Sequence, residues 1–343
     1  MATLKKMIWH IMPNFTHLWI RNLYFAVRLI PNACYDTWRF FTYSGLNKSR
    51  HYQGEQAARI TMAYHQLEKG LSFASPRPGF GGKTVTRLIS AIEPFVSQYG
   101  FIPPATTAVG VLKSYIAFNE LNDIDMSETK RSVEKLESFA ARTEDCAGGV
   151  VSIDLMQLEQ NRAAGFKHFF NSRYSIRHYS GGEIPDEHII DATQTAQKTP
   201  SVCNRQSWKV HAFKNKSVMR QLLEIQSGNR GFGEQASAVL IITCDLTRFV
   251  HVGERFQPWI DGGMFSMSLC LAFHDLGYGT CCLNWSKEYG DDLALRKIAG
   301  IDPQEQVIMM LTVGTLPEHF QAARSIRRPL GEILQIHTEQ ETR

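Results

Sequence analysis

Residues 238–245, AVLIITCD, make an unbroken apolar run that ends on a charge. The run is short and rich in β-branched residues, as a strand buried on both faces must be. Residues 262–277, GGMFSMSLCLAFHDLG, are almost uniformly apolar but too long for a strand, so they read as a helix buried in a core. WKVHAF (208–213) and VIMMLTVGTL (307–316) read as further strands. DEHIIDATQTAQK (186–198) reads as a helix with acids in its first turn, where they suit the helix dipole. Strands and helices therefore alternate after about residue 165, and this half is α/β or α+β.

Toward the N-terminus the texture is helical, and residues 1–150 are expected to form an all-helical domain. EQAARITMAYHQLEKGLSF (55–73) is an amphipathic helix that ends near Gly70. SPRPGFGGKT (75–84) matches the end of a phosphate loop, but Arg77 stands where that pattern needs its first glycine and no apolar strand precedes it. A nucleotide triphosphate site is rejected, and the glycines are expected to turn the chain into the helix TVTRLISAIEPFVSQY (84–99). Residues 105–145 continue as charged helical segments, and CAGGVVS (146–152) marks a break.

Residues 1–50 crowd aromatics (Trp9, Phe15, Trp19, Tyr24, Phe25, Tyr35, Trp38, Phe40, Phe41) among basic residues (Lys5, Lys6, Arg21, Arg28, Arg39, Lys48, Arg50), with Asp36 the only acid. In NFTHLWIRNLYFAVRLI (14–30), Asn14, His17, Arg21 and Arg28 fall on one helical stripe and the rest is apolar. Two readings stand: a helix buried against its own protein or a partner, or an in-plane helix on an anionic membrane surface. Arg21 and Arg28 interrupt the stretch between Pro13 and Pro31, so no transmembrane helix is expected, and no signal-peptide cleavage pattern follows.

The 343 residues suffice for two domains, and an apolar fraction of 43% with 20% charged residues is globular. A net charge of +4 is too mild to imply nucleic acid. Seven scattered cysteines, without C-x-x-C or Cys/His spacing, indicate reduced cytosolic thiols and no metal site. Cys203 and the adjacent Cys281 and Cys282 are expected to be small buried filler. His65 and Glu68, one helical turn apart, are expected to form a structural pair.

Three basic clusters carry the chemistry: the N-terminal stretch, SRYSIRHYS (172–180) and RSIRRP (324–329). Alternate residues on an extended segment share a face, so Arg173, Ser175 and Arg177 can converge on one ligand. Arginine forks suit phosphate, and Arg327 and Arg328 would close the same anion site from the far end of the chain. PSVCNRQSW (200–208) sets a hydroxyl and two amides beside an indole, as a flat polar ring would require.

Taken in order, these segments resemble the nitroreductase family of FMN-dependent oxidoreductases. The residues that carry the resemblance are Arg173 to Tyr179, PSVCNRQSW, LGYGT (276–280), VGTLP (313–317) and RRPL (327–330), over roughly residues 168–333. The resemblance implies a mixed central sheet flanked by helices, in an α+β domain over 165–333, followed by a tail at 334–343. It also implies bound FMN and NAD(P)H as co-substrate, with hydride passing through flavin N5. It assigns Arg173 and Arg327 to the FMN phosphate, with Ser175 at the same end, and Arg177 to the pyrimidine side, where its charge favours the reduced, anionic flavin; Tyr174 and Arg328 are expected among the cofactor-binding residues. Pro200 and Ser201 would wall the ring, while Asn204 and Gln206 would meet its edge. A turn after LGYGT would bring the backbone of Leu283, Asn284 and Trp285 near N5. Many relatives have an acid where Asn284 stands and a proline where Ser207 stands. No protein nucleophile is implied, because the hydride chemistry belongs to the cofactor.

Family members are usually homodimers with FMN at the interface, so a homodimer is expected. HQLEKGLSF followed by RPGFG also resembles a segment found ahead of nitroreductase-like domains encoded with bacterial surface-polysaccharide genes. That resemblance implies a glycan-related or other small-molecule acceptor, with the protein cytoplasmic and peripheral on the inner face of the cell membrane. The stretch from Trp208 to Asp261 is short where larger relatives insert helices that cap the active site, so the helical half is expected to supply that cap instead. Alternative readings are a flavin-dependent oxidase of a carrier-linked substrate and a flavin-free structural subunit of a polysaccharide assembly complex.

Overall fold

The computed structural model describes residues 14–43, 53–139, 146–249 and 251–337. Trp9, Lys5, Lys6, Lys48, Arg50 and most of the tail at 334–343 lie outside the described residues. Five helices come first: α1 (Asn14–Tyr43), α2 (Gln53–Leu71), α3 (Gly82–Tyr99), α4 (Ala105–Glu120) and α5 (Ser127–Glu137). Then follow β1 (Val150–Asp154), α6 (Leu155–Ala163), α7 (Phe166–Ser172), α8 (Asp186–Ala196), β2 (Trp208–Phe213) and α9 (Lys216–Gln226). The chain continues through β3 (Ala238–Asp245), α10 (Gln257–Asp275), β4 (Gly279–Asn284), α11 (Tyr289–Ala299), β5 (Glu305–Gly314) and β6 (His319–Ala323).

Helices α2 to α5 close a core of their own around Leu67, Leu88, Phe95, Leu112 and Leu136. Gly81, at φ 73°, turns the chain into α3, as the glycine run required. Residues 105–120 differ from expectation: α4 is nearly all buried and apolar, and the charges gather on α5. CAGGVVS crosses α4 at a backbone-to-backbone approach. A Cβ at Gly110 would lie 2.1 Å from the Cys146 carbonyl oxygen, and one at Gly148 would lie 2.6 Å from that of Thr107.

The central sheet has the order β2-β3-β5-β4, with antiparallel neighbours throughout. One parallel bridge, Ser175 to Thr280, adds the extended segment after α7 to its β4 edge, which makes the sheet mixed. Strand β3 is buried along its length up to Cys244, as the run AVLIITCD demanded. Helices α9 and α11 lie over one core and α8 and α10 over the other, so the sheet is flanked on both faces. The fold is α+β with helices ahead of it.

Three expectations change. GTCCLN is strand β4, not a turn, because it pairs with β5 from Gly279↔Gly314 to Asn284↔Met309. Strands β1 and β6 pair with each other, and neither was anticipated. Helix α10 is buried on one face only: Phe265, Leu269 and Phe273 are buried, while Phe256, Trp259, Ile260 and Met264 at its N-terminal end are exposed.

The expectation that α1 packs against its own protein is also corrected. Its side chains Leu18, Trp19, Leu23, Tyr24, Ile30 and Trp38 are exposed. Among the described residues no helix is long and apolar enough to cross a membrane.

Candidate functional site

Helix α7 ends at Ser172, whose hydroxyl lies 2.9 Å from His274 Nε2 and donates to the Phe169 carbonyl. From Arg173 the chain is extended. Ile176 N–H donates to the Thr280 carbonyl at 2.8 Å, which docks the segment along β4. Arg173, Tyr174 and Ser175 then line a cavity of about 350 Å3 together with Arg324, Ser325 and Arg327. Two of the three basic clusters of the sequence meet here.

Arg177 and Arg328 do not line this cavity. Arg328 sits 3.8 Å from Glu332 on the outside. Arg177 is 9% exposed and turned toward the core. Alternation fails there because the segment is anchored at both Ile176 and Tyr179, whose side chains are buried. Tyr179 is held by its hydroxyl, 2.8 Å from Thr312 Oγ1.

Two nitrogens in this segment are buried without any hydrogen-bond partner: Arg173 Nε and Arg177 Nη1. An orphaned donor on a charged group is costly, about 1–3 kcal/mol or more, unless a ligand satisfies it. Among the described residues neither arginine has an ion-pair partner. This donor set fits an anionic group.

The 200–206 segment is a strained loop. Cys203, Asn204 and Gln206 hold φ of 49°, 53° and 49°, the left-handed region that non-glycine residues seldom occupy. Side chains hold it there: Gln206 N–H donates to Ser201 Oγ at 2.9 Å, and Gln206 Nε2 to Asn204 Oδ1 at 3.1 Å. Val202 N–H reaches the fully buried Asp261 carboxylate on α10 at 3.3 Å. Pro200, Asn204 and Gln206 are thereby presented to the surface, and the loop does not line the Arg173 cavity within one chain. The indole of Trp208 stacks on Phe265, with ring centroids 4.9 Å apart. Ser207, where relatives have proline, is buried with its hydroxyl unpartnered.

At the end of β4, Leu283 is buried and Asn284 is exposed. The Asn284 carbonyl accepts from Gln226 Nε2 at 3.0 Å, and the Trp285 indole donates to Asp292 Oδ1 at 2.9 Å. These contacts fix the strand end.

The thiols depart from expectation. Cys281 is buried, but Cys203 and Cys282 are exposed. Cys282 Sγ lies 3.5 Å from Cys270 Sγ. The contact with Cys270, with help from Arg173, draws the Cys282 thiol down to about 7. That same contact and burial push Cys270 well up.

His65 and Glu68 are the structural pair expected, at 3.2 Å. The fully buried Glu68 also accepts from Gly149 N–H. Sequence reasoning passed over their neighbour Lys69. Its ammonium donates to the Gly228 carbonyl and lies 5.3 Å from the centre of the Phe232 ring. The one available signal was its place beside Glu68 in the same motif.

The nitroreductase family profile matches residues 171–229 and 223–315, so the C-terminal half contains a nitroreductase-family domain, preceded by a helical region. A protein of Archaeoglobus fulgidus, provisionally named NADH dehydrogenase/NAD(P)H nitroreductase, is 26% identical over 149 residues, covering 42% of this chain and 80% of that protein. The iodotyrosine deiodinase of Hydra vulgaris is 21% identical over 198 residues, covering 50% of this chain and 73% of its own length. Among solved structures, an FMN-dependent nitroreductase of Clostridium difficile is similar at 20% identity and a TM-score of 0.39, covering 44% of this chain and 87% of that one.

Proposed function

We propose that residues 165–333 bind FMN and pass hydride from NAD(P)H to an acceptor. The observation that carries this reading is the buried, unpartnered Nε of Arg173, a residue that lines a cavity together with Ser175 and Arg327. When bound, FMN supplies the hydride-accepting and hydride-donating centre. Arg173, Ser175 and Arg327 hold its phosphate end, and Tyr174 forms the adjoining wall. Arg177 places its charge farther along the same segment. The spent nicotinamide leaves before the acceptor enters, so double-reciprocal rate plots are expected to be parallel, and intersecting lines would count against one shared site.

A homodimer belongs to the same reading. The strained loop with Pro200, Ser201, Asn204 and Gln206 stands apart from the Arg173 cavity within one chain. A second copy would bring its loop to this cavity. Phe256, just ahead of α10, and Trp259, Ile260 and Met264 on it form an exposed apolar stripe, which supports an interface there. In this reading α1 rests on an anionic membrane surface. The resemblance of residues 65–81 supports an acceptor from surface-glycan assembly.

The first test is the visible spectrum of the purified protein and the identity of any chromophore released on denaturation. Released FMN is expected. Arg173→Gln removes a charge-assisted contact and should weaken FMN binding by roughly 10- to 100-fold. A colourless protein that takes up no added FMN would sink the reading and favour a flavin-free structural role.

A further inference from the structure

Cys270 lies in the second half of α10 and Cys282 in β4, and the fold fixes both backbones. Cys282 pairs across the sheet with Leu311 of β5, and Cys270 belongs, with Leu269 and Phe273, to the buried cluster that seats α10 on the sheet. Side chains alternate along a strand, so Cys281 and Cys282 leave β4 on opposite faces. Cys281 is buried in the core under α9 and α11, whereas Cys282 turns toward α10, where its Sγ lies 3.5 Å from that of Cys270. A disulfide bond is about 2.0 Å long, so the two sulfurs need to close by about 1.5 Å, within reach of a side-chain rotation.

The two thiols differ as an attacking and a resolving cysteine must. Cys282 is exposed, and Cys270 is 1% exposed. The contact between them, with help from Arg173, draws Cys282 down to about 7, while that contact and burial push Cys270 up. Accessible thiols rich in thiolate are the ones that peroxides oxidise, and a second thiol alongside captures the product as a disulfide. Neither sulfur has a use in the hydride chemistry proposed above, which belongs to the cofactor.

We propose that Cys270 and Cys282 form a redox site, closed to a disulfide by hydrogen peroxide and reopened by a dithiol. The Cys282 thiolate attacks one peroxide oxygen. The S–O bond forms, the O–O bond breaks, and the departing hydroxide becomes water with the proton that Cys282 gave up. Cys270 then attacks the Cys282 sulfur. The S–S bond forms, the S–O bond breaks, and the second hydroxide leaves as water with the proton of Cys270. Two thiols and one peroxide thus give one disulfide and two waters, with the sulfurs oxidised by two electrons and the peroxide reduced. A dithiol returns the electron pair by exchange. In the closed form α10 is bolted to β4, the strand whose Thr280 bridges Ser175 of the candidate site. The proposal stands apart from the FMN reading.

The test treats the reduced full chain with one equivalent of hydrogen peroxide at neutral pH, blocks the remaining thiols with N-ethylmaleimide, and maps chymotryptic peptides without reduction. Cleavage after Phe273 and Tyr278 separates Cys270 from Cys281 and Cys282. Peptides joined through Cys270 and Cys282 are expected, with the lost thiols restored by dithiothreitol. Cys281→Ser should keep the link. Cys282→Ser should slow thiol loss roughly tenfold, the ratio of thiolate between a thiol near 7 and an ordinary one. Cys270→Ser should halt Cys282 at the sulfenic acid, read as its dimedone adduct. Circular dichroism checks that each variant is folded, and the wild-type map decides the question by itself. An unchanged thiol count, a Cys282 oxidised without a link to Cys270, or a link from Cys282 to any other cysteine would overturn the proposal.

Discussion

Cys270 and Cys282 face each other across the gap between α10 and β4, and their local chemistry separates them. The contact with Cys270, together with the charge of Arg173, draws the Cys282 thiol down to about 7. Alkylation by iodoacetamide, followed by peptide mass spectrometry across the neutral range, should therefore mark Cys282 ahead of Cys270 and Cys281. Arg173→Gln should shift its labelling midpoint upward, and an unmoved midpoint would remove Arg173 from the account. Glu305 makes a second case. Burial alone would raise its pKa, but hydrogen bonds from Lys209, Thr243 and His211 outweigh this and hold it at about 2. Between that value and the ordinary glutamate range the unfolded chain binds a proton that the folded chain does not. Its contribution, up to about 3 kcal/mol, is thus present above this window and lost as pH falls through it. Urea melts should show the stability gap between wild type and Glu305→Gln narrowing with acid. Neither residue advertises itself in sequence, because both depend on partners far along the chain. The convergence of Arg173, Ser175 and Arg327 on one cavity was legible, since two short basic segments that each offer arginine forks suggest a shared ligand. The inward turn of Arg177 was not, because it follows from the burial of Ile176 and Tyr179.

Among the elements, the long ones were legible and the short ones were not. AVLIITCD and the helix after it announce themselves by unbroken hydrophobicity. Strands β1 and β6 are five residues each, with only partial burial in β1, and they form by pairing with each other. Strand β4 hid behind glycines that look like a turn. Helix α1 is the element whose role depends most on what lies beyond the chain. Its exposed aromatics and its basic residues suit a membrane surface, where each Arg is worth about 1 kcal/mol. Vesicles containing anionic lipid should sediment the full chain, and neutral vesicles should not. Replacing Arg21 and Arg28 together with Gln should weaken binding by roughly 30-fold. Equal binding to both vesicle types would point to a protein partner for α1.

At the scale of the molecule, the helical half and the nitroreductase-family domain are joined by a few specific contacts. Glu68 ties α2 to the connector at Gly149, Lys69 and Phe73 grip the loop at Gly228–Phe232, and a cavity of about 790 Å3 remains between the halves. Phe73, Phe118, His178 and His319 line that cavity. Glu68→Ala leaves the buried Gly149 N–H without its partner and should destabilise the protein by about 1–3 kcal/mol, read by thermal melting. A melting curve identical to wild type would mean that the carboxylate does not join the halves.

The pairing of β1 with β6 also sets an order in time. A ribosome releases α2 to α5 first, and they can close their own core at once. Strand β1 must wait for a partner that begins only at His319, and Lys69 for a loop that begins near Gly228. The surface that α2 turns toward the second half is therefore bare until residues 228–232 have emerged. Chains stalled late in translation should be the ones that chaperones hold, and the last strand to emerge is the one that covers the first.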